Sequence, residues 1–237
     1  VVGTRGVQDI SVGTRAGTVT FDPSFNAGGD IIRLFGNAAD WTIQRTGSSA
    51  KLMNDAISVI IPIGTNPNGI LFADGARTLV YKEGSFKIGS QSFTDSAVKI
   101  TSVSDYNVPS LGLTDTTGRL VLAADAEVSI GGKVLVMGTS SGKEYVEVLN
   151  GKVSFDPSFN GGGDVIDLPG KTGAWSAVRS GSSMLLTKGS DSASIPIGTT
   201  GTDLAFDDAT HVLVFAGGQF KIGTQVIEGS APATLMG

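Results

Sequence analysis

One ten-residue segment carries the side chains best suited to chemistry, and the sequence contains it twice. FDPSFNAGGD (21–30) and FDPSFNGGGD (155–164) each place two aspartates and an asparagine around a glycine-rich turn. Hard oxygen ligands of this kind, brought together by glycines, are what Ca²⁺ requires. The pattern therefore predicts one calcium site per copy, with the ligands Asp22, Asn26 and Asp30 in the first and Asp156, Asn160 and Asp164 in the second.

The same segment also has an interpretation without a metal. Asp and Asn side chains cap turns, and Gly-Gly supplies backbone with positive φ between two strands. The spacing matches neither an EF-hand nor a tandem nonapeptide roll. Asp74, Asp207 and Asp208 follow a strand and could form a second oxygen site, although a carboxylate in a hairpin turn is the more ordinary interpretation. Both interpretations of these residues, an ordinary turn and a metal site, therefore remain open.

Residues arranged for catalysis are sparse. GTSSG (138–142) matches the letters of the G-x-S-x-G nucleophile elbow, but that motif needs a strand-to-helix turn, and the next run, YVEVL (145–149), is typical of a strand. Ser140 is therefore expected in a hairpin. The single histidine, His211, aligns with Arg77 of the first copy, so a Ser-His-Asp triad would occur only once. The sequence predicts that the chain is not an enzyme.

Composition narrows the class of protein and its partners. Of the 237 residues, 40% are hydrophobic and 16% charged, which is typical of a folded chain. The net charge of −5 argues against nucleic acid as a partner, and no run approaches eighteen apolar residues, so no transmembrane segment is expected. Cysteine is absent, which excludes disulfides and thiolate chemistry and favours an exported protein.

The elements that must position these side chains are themselves duplicated. Residues 17–95 align with residues 151–229 without a gap, and 36 of the 79 aligned positions are identical. Such self-similarity is the signature of a repeated structural unit. The sequence predicts two modules: residues 1–134, with the core 17–95 followed by a spacer, and residues 135–237, with the core 151–229 and a truncated C-terminal end.

The local pattern within each module is that of strands. Short runs rich in Val, Ile, Thr, Phe and Leu recur, such as SVIIPI (58–63) and HVLVF (211–215), and Gly, Asn, Asp or Ser separates them every 6–12 residues. No window of twelve residues carries a helical apolar stripe free of Gly and Pro. The predicted fold is all-β, with two homologous antiparallel β-sandwich or β-roll-like modules in tandem.

Aromatic residues repeat together with the strands. They either fill a core, as aromatics that recur within a module usually do, or form an exposed row that stacks on sugar rings. Arg45 and Arg179 each follow a tryptophan by four positions, on the same face of a strand, which predicts a cation–π pair. The repeating aromatics of the first copy and the second tryptophan are Phe21, Phe25, Trp41, Phe72, Phe86 and Trp175.

The segments FDPSFNAGGDIIRL, FADGARTLVY and FKIG resemble repeat modules of large exported alphaproteobacterial proteins. Such modules accompany RTX-type calcium-binding sequences in type I secreted adhesins, biofilm-matrix proteins and surface-layer-like proteins. The resemblance covers about two-thirds of the chain. It implies export in one step, calcium-stabilised folding outside the bacterial cell, and a structural or adhesive role.

Together these observations lead to one expected function and one alternative. The first is a non-enzymatic extracellular repeat protein of the bacterial cell surface or biofilm matrix, which self-associates into a homopolymer or fibre. Segments 1–16 and 229–237 are expected to mate between subunits by strand addition. The alternative is a carbohydrate-binding module, or an accessory domain of a secreted polysaccharide-active enzyme, with Trp41 and Trp175 in contact with polysaccharide.

Overall fold

Strands dominate the protein. The computed structural model describes residues 1–4, 6–15, 17–55, 57–107, 117–161, 163–229 and 231–237. In this part of the chain the longest helix is the 3₁₀ helix Pro23–Ala27, with three shorter ones at Ala38–Asp40, Pro157–Asn160 and Thr172–Ala174. None of them is long and apolar enough to cross a membrane. The all-β class predicted from the sequence is confirmed.

The chain divides into two compact units, Val1–Arg119 and Leu120–Gly237. The predicted boundary after residue 134 refers to the sequence repeat and stays a prediction. The strands that begin in the first unit are β1 (Asp9–Val12), β2 (Gly17–Thr20), β3 (Ile31–Leu34), β4 (Thr42–Thr46), β5 (Ser49–Asn54), β6 (Ile57–Pro62), β7 (Asn68–Phe72), β8 (Gly75–Lys82), β9 (Ser85–Ile88), β10 (Gln91–Phe93), β11 (Val98–Lys99) and β12 (Gly118–Val121).

The second unit repeats most of this order of elements. Its long strand β14 takes the places of β1 and β2. The strands are β13 (Glu127–Met137), β14 (Tyr145–Phe155), β15 (Val165–Asp167), β16 (Ser176–Ser180), β17 (Ser183–Lys188), β18 (Asp191–Pro196), β19 (Thr202–Ala205), β20 (Thr210–Ala216), β21 (Gln219–Ile222), β22 (Gln225–Val226) and β23 (Ala233–Thr234).

Within the first unit the chain passes back and forth between two sheets. Strands β1, β3 and β7 pair in parallel in one sheet, while β2 and β6 pair in parallel in the other. Antiparallel hairpins extend both sheets, through β4, β5 and β6 on one side and β7, β8 and β9 on the other. The turn FDPSFNAGGD connects β2 to β3 and so carries the chain from one sheet to the other.

The second unit uses the same pairing in the same register. Strand β15 pairs in parallel with both β14 and β19, and the second half of β14 pairs in parallel with β18. Thr42 lies opposite Met53 in the first unit, and Ser176 lies opposite Thr187 in the second, a constant offset of 134 residues. The repeated sequence therefore builds the same ladder twice.

The parallel pairs correct the prediction of antiparallel modules, because the sheets are mixed. Alternation of apolar and polar residues is the same in both kinds of ladder, so the sequence pattern alone does not give strand direction. Direction follows from the connections. The tight turns visible in the sequence mark the hairpins, whereas the parallel pairs join strands separated by a whole crossover.

Aromatic side chains fill the interior of each unit. Trp41 and Trp175 are fully buried, and so are Phe25 and Phe159. Phe25 meets Phe21 edge to face, with ring centroids 4.8 Å apart, and the equivalent pair in the second unit has the same separation. The prediction that the recurring tryptophans belong to a core is confirmed. They are not available to stack on a sugar.

Candidate functional site

The repeated turn begins with an aspartate that caps a 3₁₀ helix. Asp22 Oδ1 accepts a hydrogen bond from the backbone N–H of Ser24 at 3.0 Å and another from the Ser24 hydroxyl. Pro23 follows the cap, where its missing N–H leaves no bond unmade. Asp156 makes the same contacts with Ser158. The DPS sequence is thus a capping motif in both copies.

The aspartate at the end of the turn is buried and fixes the neighbouring segment. Asp30 and Asp164 are each 1% exposed. Asp30 Oδ1 accepts from the backbone N–H of Gln8 at 2.8 Å, and Asp164 Oδ1 accepts from that of Glu144 at 3.0 Å. Burial raises the pKa of Asp30 to about 6. Burial, together with a hydrogen bond to the Glu144 side chain, raises the pKa of Asp164 to about 7.

The two copies differ in the side chain that meets this aspartate. Gln8 is neutral, and its Nε2 donates to two backbone carbonyl groups at 2.6 and 3.1 Å. Glu144 is 1% exposed, and its Oε1 accepts from the backbone N–H of Thr139 at 3.2 Å. Its Oε2 is buried and has no donor among the described residues unless Asp164 carries a proton. The repeat pattern does not identify this pair, because Gln8 and Glu144 lie in the weakly matching segment before the repeat.

The asparagine of the turn is the residue that most favours a bound cation. Oδ1 of Asn26 and of Asn160 is buried and has no hydrogen-bond partner within the described ranges. Leaving such an oxygen unpaired costs free energy, and an amide oxygen is a good Ca²⁺ ligand. Nowhere in the described chain do three acidic or histidine side chains meet in a metal-binding group. Calcium at the six sequence-selected residues stays a prediction.

The aspartates considered for a second oxygen site join turns instead. Asp74 Oδ1 accepts from the backbone N–H of Ala38 at 3.0 Å, and its carboxylate pairs with the buried Arg77 at 2.8 Å. Asp208 Oδ1 accepts from the N–H and hydroxyl of Thr172, at 2.8 and 2.9 Å. These contacts agree with the ordinary interpretation of turn carboxylates.

The serine and histidine considered for catalysis lie in separate places within the second unit. Ser140 follows β13, which pairs in parallel with β14, so its loop is a crossover and the expected hairpin is wrong. A strand, not a helix, follows the loop. His211 Nε2 lies 3.4 Å from the hydroxyl of Thr172, a residue with no exposed surface. The structure gives Ser140 no contact with His211.

A surface groove recurs in both units. In the first unit it has a volume of about 720 Å³, and in the second about 320 Å³. Five lining positions are related by the 134-residue offset and keep their residue type, with an exposed aromatic ring beside them. In the first unit these residues are Arg45, Ser48, Ile63, Gly64, Thr65 and Tyr81, and in the second Arg179, Ser182, Ile197, Gly198, Thr199 and Phe215.

A stack of an arginine on an aromatic ring forms one wall of each groove. The guanidinium carbon of Arg45 lies 4.8 Å from the centre of the Phe86 ring, and that of Arg179 lies 4.0 Å from the centre of the Phe220 ring. The predicted Trp–Arg pair is therefore wrong. Residues four apart in a strand are about 13 Å apart, so Arg45 reaches past Trp41 to a neighbouring hairpin.

A short docking segment closes the edge of each unit. In the first unit it comprises residues 98–102 and in the second residues 233–236. Its buried anchor is Ile100 or Leu235, whose backbone N–H donates to the carbonyl of the buried tryptophan at 3.1 or 2.9 Å. Gln91 binds the first segment through both atoms of its side-chain amide, and Gln225 binds the second in the same way.

No protein-family model matches the chain, and no curated protein matches it significantly.

Proposed function

We propose that this chain is a non-enzymatic structural or adhesive repeat protein that works outside the bacterial cell, on the cell surface or in a biofilm matrix. The observation that carries the proposal is the doubling of one building block. The caps, buried aspartates, aromatic pairs and docking segments all recur at matching positions. Repeat units that each keep their own core extend a chain without new chemistry.

The docking segments supply a route to a homopolymer. Each contributes only two residues to a strand, β11 on β4 and β23 on β16. Its other contacts include the buried anchor and the glutamine, and all of these contacts can equally be made with the same edge of another subunit. The receiving edge is built in the same way in both units, so it can accept the segment of another subunit. This is strand exchange of the kind that converts monomers into chains.

Assembly should therefore depend on the anchor of the docking segment. We expect the purified chain to form elongated assemblies at rising concentration, seen by light scattering and negative-stain electron microscopy. Leu235→Asp places a charge where a buried leucine anchors the segment, and it should abolish assembly. Met236→Asp is the matched control because that neighbour is 63% exposed. Monodisperse particles at high concentration with calcium, or assemblies that L235D leaves intact, would contradict the proposal.

Calcium is proposed as the ion that stabilises the repeated turn. If it binds only the folded state, 1 mM CaCl₂ should raise the melting temperature relative to excess chelator. Asp22→Ser combined with Asp156→Ser separates the two roles of the turn. Serine is as good a helix cap as aspartate, so the chelator-treated variant should melt like the parent, but it should lose the calcium-dependent rise. A parent protein that melts equally with calcium and chelator would show that these are turns alone.

A carbohydrate-binding module, or an accessory domain of a secreted polysaccharide-active enzyme, is the second candidate function. The observation that favours it is the repeated groove with its exposed aromatic ring. It does not use the tryptophans expected from the sequence, because those are buried.

A further inference from the structure

We infer that the groove of each unit is a binding site for an uncharged polysaccharide, with Tyr81 and Phe215 as the rings on which a sugar stacks. This inference deepens the second candidate function and is independent of assembly. It assigns the contact to residues that the sequence pattern did not single out.

The exposed ring is held in place from behind. Tyr81 packs against Phe86 with ring centroids 4.9 Å apart, and Phe215 packs against Phe220 at 4.8 Å. The outer rings nevertheless remain 39% and 36% exposed. A ring supported on one side and open on the other offers a flat apolar surface to the C–H face of a pyranose at little entropic cost.

Polar groups that suit sugar hydroxyls surround this ring. The arginine of each groove donates through Nε to a backbone carbonyl, that of Gly47 at 2.8 Å or Gly181 at 3.0 Å. Its terminal nitrogens make no hydrogen bond to any described residue, so they are available as donors. The lining serine and threonine of each unit are exposed and add hydroxyls. A site with one apolar surface and a few fixed polar groups is typical of small-ligand recognition.

In the first unit the charges around the groove favour a neutral ligand. Asp95 Oδ1 lies 3.8 Å from Arg45 Nε, so a carboxylate offsets the guanidinium in the first unit. The whole chain carries a net charge of −5, which disfavours an acidic polysaccharide. The lining of the first groove is too rich in hydroxyl and guanidinium groups to match a purely apolar peptide.

The duplication supports a binding role over simple packing. Other lining positions of the first groove have changed, since Val226 and Ile227 stand in the second unit where the first has Ser92 and Phe93. The arginine, serine and threonine next to the exposed ring are identical in the two units, and all three are exposed. Packing of a core does not require exposed residues to be retained, so their retention favours a binding role.

Native gels containing dextran, galactomannan or barley β-glucan test the inference, with a polysaccharide-free gel and an alginate gel as references. We expect at least one neutral polysaccharide to retard the chain. Tyr81→Ala with Phe215→Ala should weaken that binding by about tenfold or more, because the stacking surface is removed. Tyr81→Phe should bind like the parent, since the second unit has phenylalanine there. Val103→Ala, at a 74% exposed position outside the groove, is the control for lost apolar surface.

Thr65→Arg with Thr199→Arg provides a second test that leaves the ring stack in place. Both threonines are exposed, so the variant should melt like the parent while its longer side chains fill the grooves and abolish retardation. No retardation in any neutral gel, retardation in alginate alone, or equal retardation of the parent and both double variants would overturn the inference. Retardation that is lost together with concentration-dependent assembly would assign the groove to contacts between copies and would also overturn it. The L235D variant leaves the groove residues unchanged, so its effect on assembly tests the first proposed function separately from these gel experiments.

Discussion

Replacing Trp41 with alanine should lower the free energy of unfolding of the first unit by about 3–5 kcal/mol. The side chain has no exposed surface and packs against Phe35 and Phe72, with ring centroids 5.1 and 6.3 Å away. Its Nε1–H also donates to the Phe35 carbonyl at 2.9 Å, a bond that the variant leaves unmade. Urea unfolding followed by circular dichroism, with Trp175 fluorescence reporting on the second unit, measures the effect.

The duplicated fold supplies the matched control for this experiment. Trp175→Ala should destabilise the second unit by a similar amount, because Trp175 is equally buried and its Nε1–H donates to the Pro169 carbonyl. Val103→Ala should change stability by less than about 0.5 kcal/mol, as surface substitutions usually do. A stable Trp41→Ala protein would contradict the buried position. Loss of polysaccharide binding in either tryptophan variant would reflect unfolding and not a lost contact.

The second large effect is a dependence of stability on pH in the second unit. The pKa of Asp164 is raised to about 7 by burial and by its hydrogen bond to Glu144, whereas an unfolded aspartate titrates near 3.8. Between these values the folded chain binds a proton that the unfolded chain has released. The stabilisation is therefore complete below about pH 4 and is lost as the pH rises through 7. We expect the second unit to be about 2–4 kcal/mol less stable at pH 8 than at pH 4 from this group.

Exchanging the side chain that faces the buried aspartate between the two units tests whether Glu144 raises the pKa of Asp164. Glu144→Gln gives the second unit the side chain that the first unit has, so the pKa of Asp164 should fall toward the value of about 6 found for Asp30. Stability of the second unit at pH 8 should rise by about 1–2 kcal/mol. Gln8→Glu should produce the opposite change in the first unit. Unfolding in urea between pH 5 and 8, with chelator present, measures both, and a Glu144→Gln profile that matches the parent would contradict the shared proton.

Much of the fold followed from the sequence because its signals are local. The repeat predicted that equal segments build equal structures, and the registers of β4 with β5 and of β16 with β17 agree. The Asp-Pro-Ser segment predicted a turn, and in both copies its aspartate caps a 3₁₀ helix. Burial of the recurring tryptophans followed from their size and apolar character. Each of these features depends on neighbours close in sequence or on residue type alone.

Long-range contacts decided the rest. Parallel pairing of β3 with β7, or the approach of Glu144 to Asp164, joins residues 20 to 40 positions apart, whose proximity depends on the path of the chain between them. Likewise, Arg45 stacks on Phe86 and not on Trp41 because a hairpin from elsewhere in the unit lies beside β4. Residue type and spacing determined which side chains must be buried or capped. Only the packed sheets determined which exposed groups share a groove and which carboxyl groups are buried next to each other, because both depend on distances that close only when the chain is folded.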